Sequence, residues 1–146
     1  MIAESLAGRR IAVTGSTGFV GTALVERLLR GAPDCELYLI VRGGRRGAAV
    51  RIKREILNND AFDRLREELK GTAEEFDAMC ARRVHAIDGD ISVDGLGLSE
   101  AGRADLAKCD IVIHSAAAVA FDSPLDSAVE VNLLGPVRLA AVLNEL

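Results

Sequence analysis

Short runs of β-branched and leucine residues recur along this chain, and each is followed by a longer amphipathic stretch. Arg9 to Thr14 is the first run. Gly18 to Arg30 is the first amphipathic segment, with Ala23, Leu24, Leu28 and Leu29 set against Glu26, Arg27 and Arg30. The pattern predicts a strand and then a helix. Gly31-Ala32-Pro33-Asp34 ends that helix, with glycine after the last turn and proline beyond it. Glu36 to Val41 predicts a second buried strand, and Gly43-Gly44 opens a loop. From Ala48 to Ala81 a polar region carries Val50, Ile52, Ile56, Leu57, Phe62, Leu65, Leu69 and Phe76 at roughly helical spacing. This predicts two or three helices, broken near Asn58-Asn59-Asp60 and Gly71-Thr72. Arg83 to Asp88 predicts a third strand, Ser99 to Ala107 a helix capped by Ser99, and Cys109 to His114 a fourth strand. Ser123-Pro124 pairs a cap with proline at the first helical position, and the helix it starts runs to the end of the chain.

Strands alternating with helices, and apolar throughout, predict an α/β fold with a doubly wound parallel sheet of the Rossmann type. Right-handed crossovers give the strand order 3-2-1-4, with the switch point between strands one and four. All 146 residues then form one nucleotide-binding domain. Ligands bind beyond the carboxyl ends of the strands, where the glycine loop, Arg42, Asp90 and His114-Ser115-Ala116 all fall.

Thr14-Gly15-Ser16-Thr17-Gly18-Phe19-Val20-Gly21 spaces three glycines as GxxGxxG between the first strand and first helix. Gly15 allows a tight turn, Gly18 lets the backbone approach a pyrophosphate, and Gly21 lets the helix pack closely. The helix N-terminus offers N–H groups and a partial positive charge to the anion. An acid at the end of strand two would accept the ribose 2′-hydroxyl of NAD. This chain has Val41-Arg42 there, with Arg45 and Arg46 beyond, which suits the 2′-phosphate of NADP(H). A solvated basic loop is the competing reading. Asp90, ending strand three, can accept from an adenine amino group or cap a turn. The small residues Ser115, Ala116 and Ala117 let the main chain pass under the ribose and nicotinamide. His114 is expected to pack and hydrogen-bond locally, not to catalyse. Asn132, an amide in an otherwise apolar helical stretch, needs a partner if buried.

Composition narrows the setting. The chain is nearly half apolar, with no Trp and a net charge of −4, which argues against general nucleic-acid binding. Cys35, Cys80 and Cys109 form no CxxC, the two histidines lie far apart, and no metal constellation emerges. No apolar run approaches the length of a membrane span, and the first ten residues do not resemble a signal peptide. A cytoplasmic protein with reduced thiols is expected.

Together these segments resemble the extended short-chain dehydrogenase/reductase superfamily, closest to fatty acyl-CoA reductases and related thioester reductase domains. TGSTGFVG (14–21), LIVRGG (39–44), FDRLRE (62–67), GDIS with GLGLS (89–99), and IVIHSAAAVAFDSPLDSAVEVNLLGP (111–136) carry the resemblance. It implies NADP(H) bound by Gly15, Ser16, Thr17, Gly18, Phe19, Val20, Gly21, Arg42 and Arg45. It also places Asp90 and Ile91 at the adenine, and Ser115, Ala116 and Ala117 near the ribose. Asn132 is implied as the catalytic relay asparagine. Pro136 replaces the usual threonine. The implied reaction is NADPH-dependent reduction of a fatty acyl-CoA, or another thioester, to an aldehyde, with a second reduction to the alcohol left open. A sugar-nucleotide epimerase or dehydratase and a non-catalytic NADP sensor are the alternatives. The family's Tyr-x-x-x-Lys has no counterpart, since Tyr38 is followed four residues on by Arg42. The resemblance therefore implies the N-terminal cofactor portion of a longer reductase, its sheet stopping before the later strands. Strand four is then an apolar edge, through which the chain is expected to self-associate.

Overall fold

The structure, a computed structural model, describes residues 2–70, 72, 75–120 and 122–146. Gly71 of the expected helix break and Phe121 of the FDSPL segment lie outside the described residues. After a single turn, α1 (Ile2–Ser5), the chain enters β1 (Arg10–Thr14). The helix α2 (Phe19–Gly31) leads to β2 (Glu36–Val41). A helical insert follows, made of α3 (Ala48–Ile52), α4 (Asp63–Leu69) and α5 (Phe76–Arg83), and then β3 (Val84–Asp88). The chain closes with α6 (Glu100–Leu106), β4 (Ile111–His114), α7 (Leu125–Val129) and α8 (Gly135–Glu145).

The four strands form one parallel sheet in the order β3-β2-β1-β4, as the alternation of strand and helix predicts. Thr14 pairs with Ile40 on one side and His114 on the other, so three strands end at one level. The alternation of side chains divides the core in two. Ile11, Val13, Leu37, Leu39 and Val41 join Val25, Leu28, Ile52, Phe62 and Met79 beneath α2 and the helical insert. Ala12, Tyr38, Ile40 and Ile87 join Leu106, Leu139 and Val142 beneath α6 and α8. Ile11, Leu37 and Leu39 are wholly buried, and each contributes about 1.5–3 kcal/mol relative to an exposed side chain.

Several boundaries differ from the pattern. Arg83 belongs to α5, so β3 starts one residue later. The N–H of Cys109 closes α6 onto Leu106 at 3.0 Å, and the Asp110 carboxylate accepts from Arg10 N at 2.8 Å, so β4 begins only at Ile111. On α2, Ala23 is exposed whereas Glu26 is buried; Arg30, 2.6 Å away, neutralises its charge. The break at Asn58-Asn59-Asp60 is present, with Asn59 Oδ1 accepting from Ala61 N at 2.9 Å. Ser99 caps α6 as expected, its Oγ accepting from Gly102 N at 3.1 Å. Pro124 precedes the helix in extended conformation, not in its first turn, and α7 starts at Leu125. The final helix is also not uniform. Between α7 and α8 it widens over Glu130–Leu134, where Gly135 N reaches back to Glu130 O. Pro136 explains the irregularity, because it has no N–H to donate to the carbonyl four residues earlier.

Candidate functional site: a cleft at the strand ends

The loop after β1 is held by contacts that exclude side chains. Gly15 is left-handed (φ 71), and a Cβ there would lie 2.4 Å from Ala116 N. A Cβ on Gly21 would lie 2.1 Å from Gly15 O, so the first turn of α2 rests directly on the loop. Thr22 secures the same contact by donating its hydroxyl to Ser16 O at 3.0 Å. Ser16 is wholly buried in this loop, and its Oγ is without a hydrogen-bond partner. A dry hydroxyl beside a helix N-terminus suits an anionic oxygen, and a dinucleotide pyrophosphate fits this loop.

The loop forms one wall of a cleft of about 240 Å³. Thr14, Gly15, Ser16, Thr17 and Gly18 line it, with Ile40, Val41, Arg42 and Arg51 beside them. Gly89, Asp90, Ile91 and Ser92 form another side, and Ser115, Ala116, Ala117 and Val131 complete it. Arg42 is two-thirds exposed and lies 3.8 Å from the Asp90 carboxylate. Arg51 Nη1 donates to the main-chain oxygen of Arg42 at 3.0 Å, while its Nε donates to Glu55 at 2.8 Å. Burial pushes the Asp90 carboxyl up, but the hydroxyl and N–H of Ser92, at 2.6 and 2.9 Å, and the Arg42 guanidinium hold it below its usual range. The carboxylate is thus an ionised acceptor facing a cation.

At the end of β1, Thr14 joins the two sides. Its Oγ1 accepts from Ser115 N and Ala116 N at 3.3 and 3.4 Å and lies 2.7 Å from His114 Nδ1. With two donors already on its oxygen, the Thr14 hydroxyl donates to Nδ1, which places the ring hydrogen on Nε2. Burial pushes the His114 pKa down, and Nε2 is buried without a partner, so the ring is neutral and packed. Asn132 lies in the widened turn before α8. Its Oδ1 accepts from Ala118 N at 2.8 Å and its Nδ2 donates to Ala118 O at 2.9 Å. The side chain is exposed, and it fastens the loop after β4 to the last helix.

Gly15, Ser16, Thr17, Gly18, Arg42, Asp90, Ile91, Ser115, Ala116 and Ala117 thus meet around one cleft. Phe19, Val20, Gly21, Arg45 and Asn132 do not line it. Phe19 and Val20 lie exposed on the first turn of α2, and Arg45 borders a separate hollow with Arg46, Arg51 and Arg54. Sequence reading passed over Thr14, Arg51 and Ser92. Arg51 had no local signal, because only the folding of α3 over the end of β2 brings it to Arg42. Among the described residues no cluster of His, Cys, Asp or Glu could hold a metal. None of their helices is long and apolar enough to cross a membrane.

The sequence matches the family described as Male sterility protein over residues 13–145. Fatty acyl-CoA reductase 2, chloroplastic, of Arabidopsis thaliana is 33% identical over 141 residues, covering 94% of this chain and 22% of that protein. Fatty acyl-CoA reductase 1 of Xenopus laevis is 33% identical over 148 residues, covering 99% of this chain and 27% of that protein. The reductase domain of a nonribosomal peptide synthetase from Mycobacterium tuberculosis superposes with a TM-score of 0.64 at 32% identity. That match covers 92% of this chain and 30% of the solved one. The chain therefore spans about a quarter of the length of the curated relatives it matches.

Proposed function

The chain belongs to the Male sterility protein family of the extended short-chain dehydrogenases/reductases, and from that premise we propose that it is the NADP(H)-binding domain of a fatty acyl thioester reductase. The observation that carries the reading is a single cleft joining the glycine loop to the cations at the end of β2. The substrate class, an acyl-CoA reduced to an aldehyde or, by a second reduction, to an alcohol, rests on relatives named fatty acyl-CoA reductases.

Each residue has a distinct task in this proposal. The loop from Gly15 to Gly18, with the first turn of α2, holds the pyrophosphate. Gly21 keeps that turn against the loop, Phe19 and Val20 flank it, and Ser16 Oγ gains the partner it lacks. Arg42 and Arg51 hold the 2′-phosphate, and Arg45 adds positive potential from the adjoining hollow. Asp90 accepts from the adenine amino group, and Ile91 lies against the base. Ser115, Ala116 and Ala117 pass beneath the ribose, and Asn132 keeps their loop in place. When bound, the nicotinamide supplies the hydride that reduces the thioester carbonyl. Tyr38 is not placed to donate the proton, since it does not line the cleft and is buried in β2 with its ring stacked on His85 at 4.5 Å.

The test is to mix NADPH and a long-chain acyl-CoA with the whole protein that carries this chain, following nicotinamide absorbance and free thiol together. Thiol release is expected, with one NADPH lost per thiol where the aldehyde is the product and two where the alcohol is. Binding of NADPH without thiol release would favour a sensor, and no binding at all would reject the reading.

A further inference from the structure

The two ends of the cleft are built on separate stretches of chain, and one arginine outside the cleft connects them. At the Asp90 end, the main-chain N–H of Asp90 donates to Leu96 O at 2.8 Å. Leu96 sits in a left-handed turn, with Gly95, Leu96 and Gly97 at φ 62, 57 and 58. Leucine rarely adopts this conformation, and here its side chain is wholly buried, so the turn is pinned to the core. The turn opens with Asp94, whose carboxylate accepts from Arg138 Nε at 3.0 Å.

Arg138 lies on α8 and also grips the widened turn before it. Its Nη1 lies 2.9 Å from the Glu130 carboxylate and 3.4 Å from the Glu130 carbonyl. Glu130 begins the same turn that presents Asn132, whose amide holds Ala118, the residue that follows the cleft-lining Ser115, Ala116 and Ala117. We propose that Arg138 is a positioning residue for cofactor binding, clasping the turn that supports Asp90 to the helical turn that supports the Ala118 loop. The two ends of the cleft then move as one unit. This rests on the NADP(H) reading of the cleft.

Asp94 is almost fully exposed, so as an ordinary surface ion pair the contact adds little to overall stability. Its effect falls on the local geometry of Asp90 and Ala118. The test uses the chain with Arg138→Met, Arg138→Lys and, as a surface change that does not endanger the fold, Asp94→Asn. Hydrogen exchange is read at the Asp90 and Ala118 amides, together with melting temperature and affinity for NADPH and 2′,5′-ADP. Arg138→Met is expected to speed exchange at both amides and to weaken both nucleotides roughly threefold to tenfold, with Tm nearly unchanged. Arg138→Lys should restore most of this, and Asp94→Asn should reproduce the Asp90 effect.

Wild-type exchange at either amide in Arg138→Met would overturn the proposal, as would a loss of binding that merely tracks a large fall in Tm. If the unaltered chain binds neither nucleotide, the cofactor reading fails, and the exchange measurement still judges the coupling by itself.

Discussion

At Gly21 a single methyl group would meet the Gly15 carbonyl oxygen at 2.1 Å, too close for either backbone to accommodate without moving. Gly21→Ala is therefore expected to destabilise the chain by about 1–3 kcal/mol and to weaken NADPH binding. Thermal denaturation with cofactor titration checks this; an unchanged Tm would show that α2 does not rest on the loop as described. For Arg42 the proposed role is in cofactor selectivity, not in folding. Arg42→Gln is expected to weaken NADPH about tenfold or more while leaving NADH nearly unaffected, measured by competitive titration. His114 makes a prediction about pH. Burial holds the folded ring's pKa below the 6.5 expected when unfolded, so on acidification the unfolded chain takes up the proton first. The contribution of His114 to stability is thus complete above 6.5 and is lost as pH falls below it. Urea midpoints at about pH 7.5 and about pH 5.5 should fall more for the wild type than for His114→Gln. Parallel falls would place the titrating group elsewhere.

Among the elements, the turn between α2 and β2 depends on a buried cation that sequence patterns do not show. Arg83, the last residue of α5, is almost wholly buried and donates to the carbonyls of Leu29, Ala32 and Cys35, each at 2.8 Å. Arg83→Met leaves these oxygens dry, and a loss of roughly 3 kcal/mol or more is expected in chemical denaturation. A loss below about 1 kcal/mol would mean that the carbonyls find other donors. This residue also shows what sequence could and could not reveal. The order of the sheet, the glycine loop, the cap at Ser99 and the convergence at the strand ends follow from local periodicity and spacing. Arg83 does not, since its partners are main-chain carbonyls that every residue type carries. Arg51 and Glu26 escaped for a related reason, because their burial or placement depends on partners fixed only by tertiary packing. The widened turn of the last helix was hidden because Pro136 alone does not say whether a helix will kink, stop or loosen.

For the molecule as a whole, β4 is an edge of the sheet with all four residues only half-buried, and Val119, Leu125, Leu133 and Val137 are exposed beyond it. An apolar edge of this kind favours pairing between copies, and the 146-residue chain is expected to self-associate in a concentration-dependent manner. Sedimentation velocity checks this, and a monomer at all concentrations would contradict it. Because Ser115, Ala116 and Ala117 follow β4 and line the cleft, nucleotide binding is to be measured at concentrations where the chain is monomeric. The central claim is that this cleft binds NADP(H), with the cations at the end of β2 selecting the 2′-phosphate. Calorimetric titration of the chain with NADPH and NADH tests it most directly. The account predicts NADPH binding at least about tenfold tighter than NADH, with the difference much reduced in Arg42→Gln. Equal affinities, or no binding of either nucleotide, would contradict it.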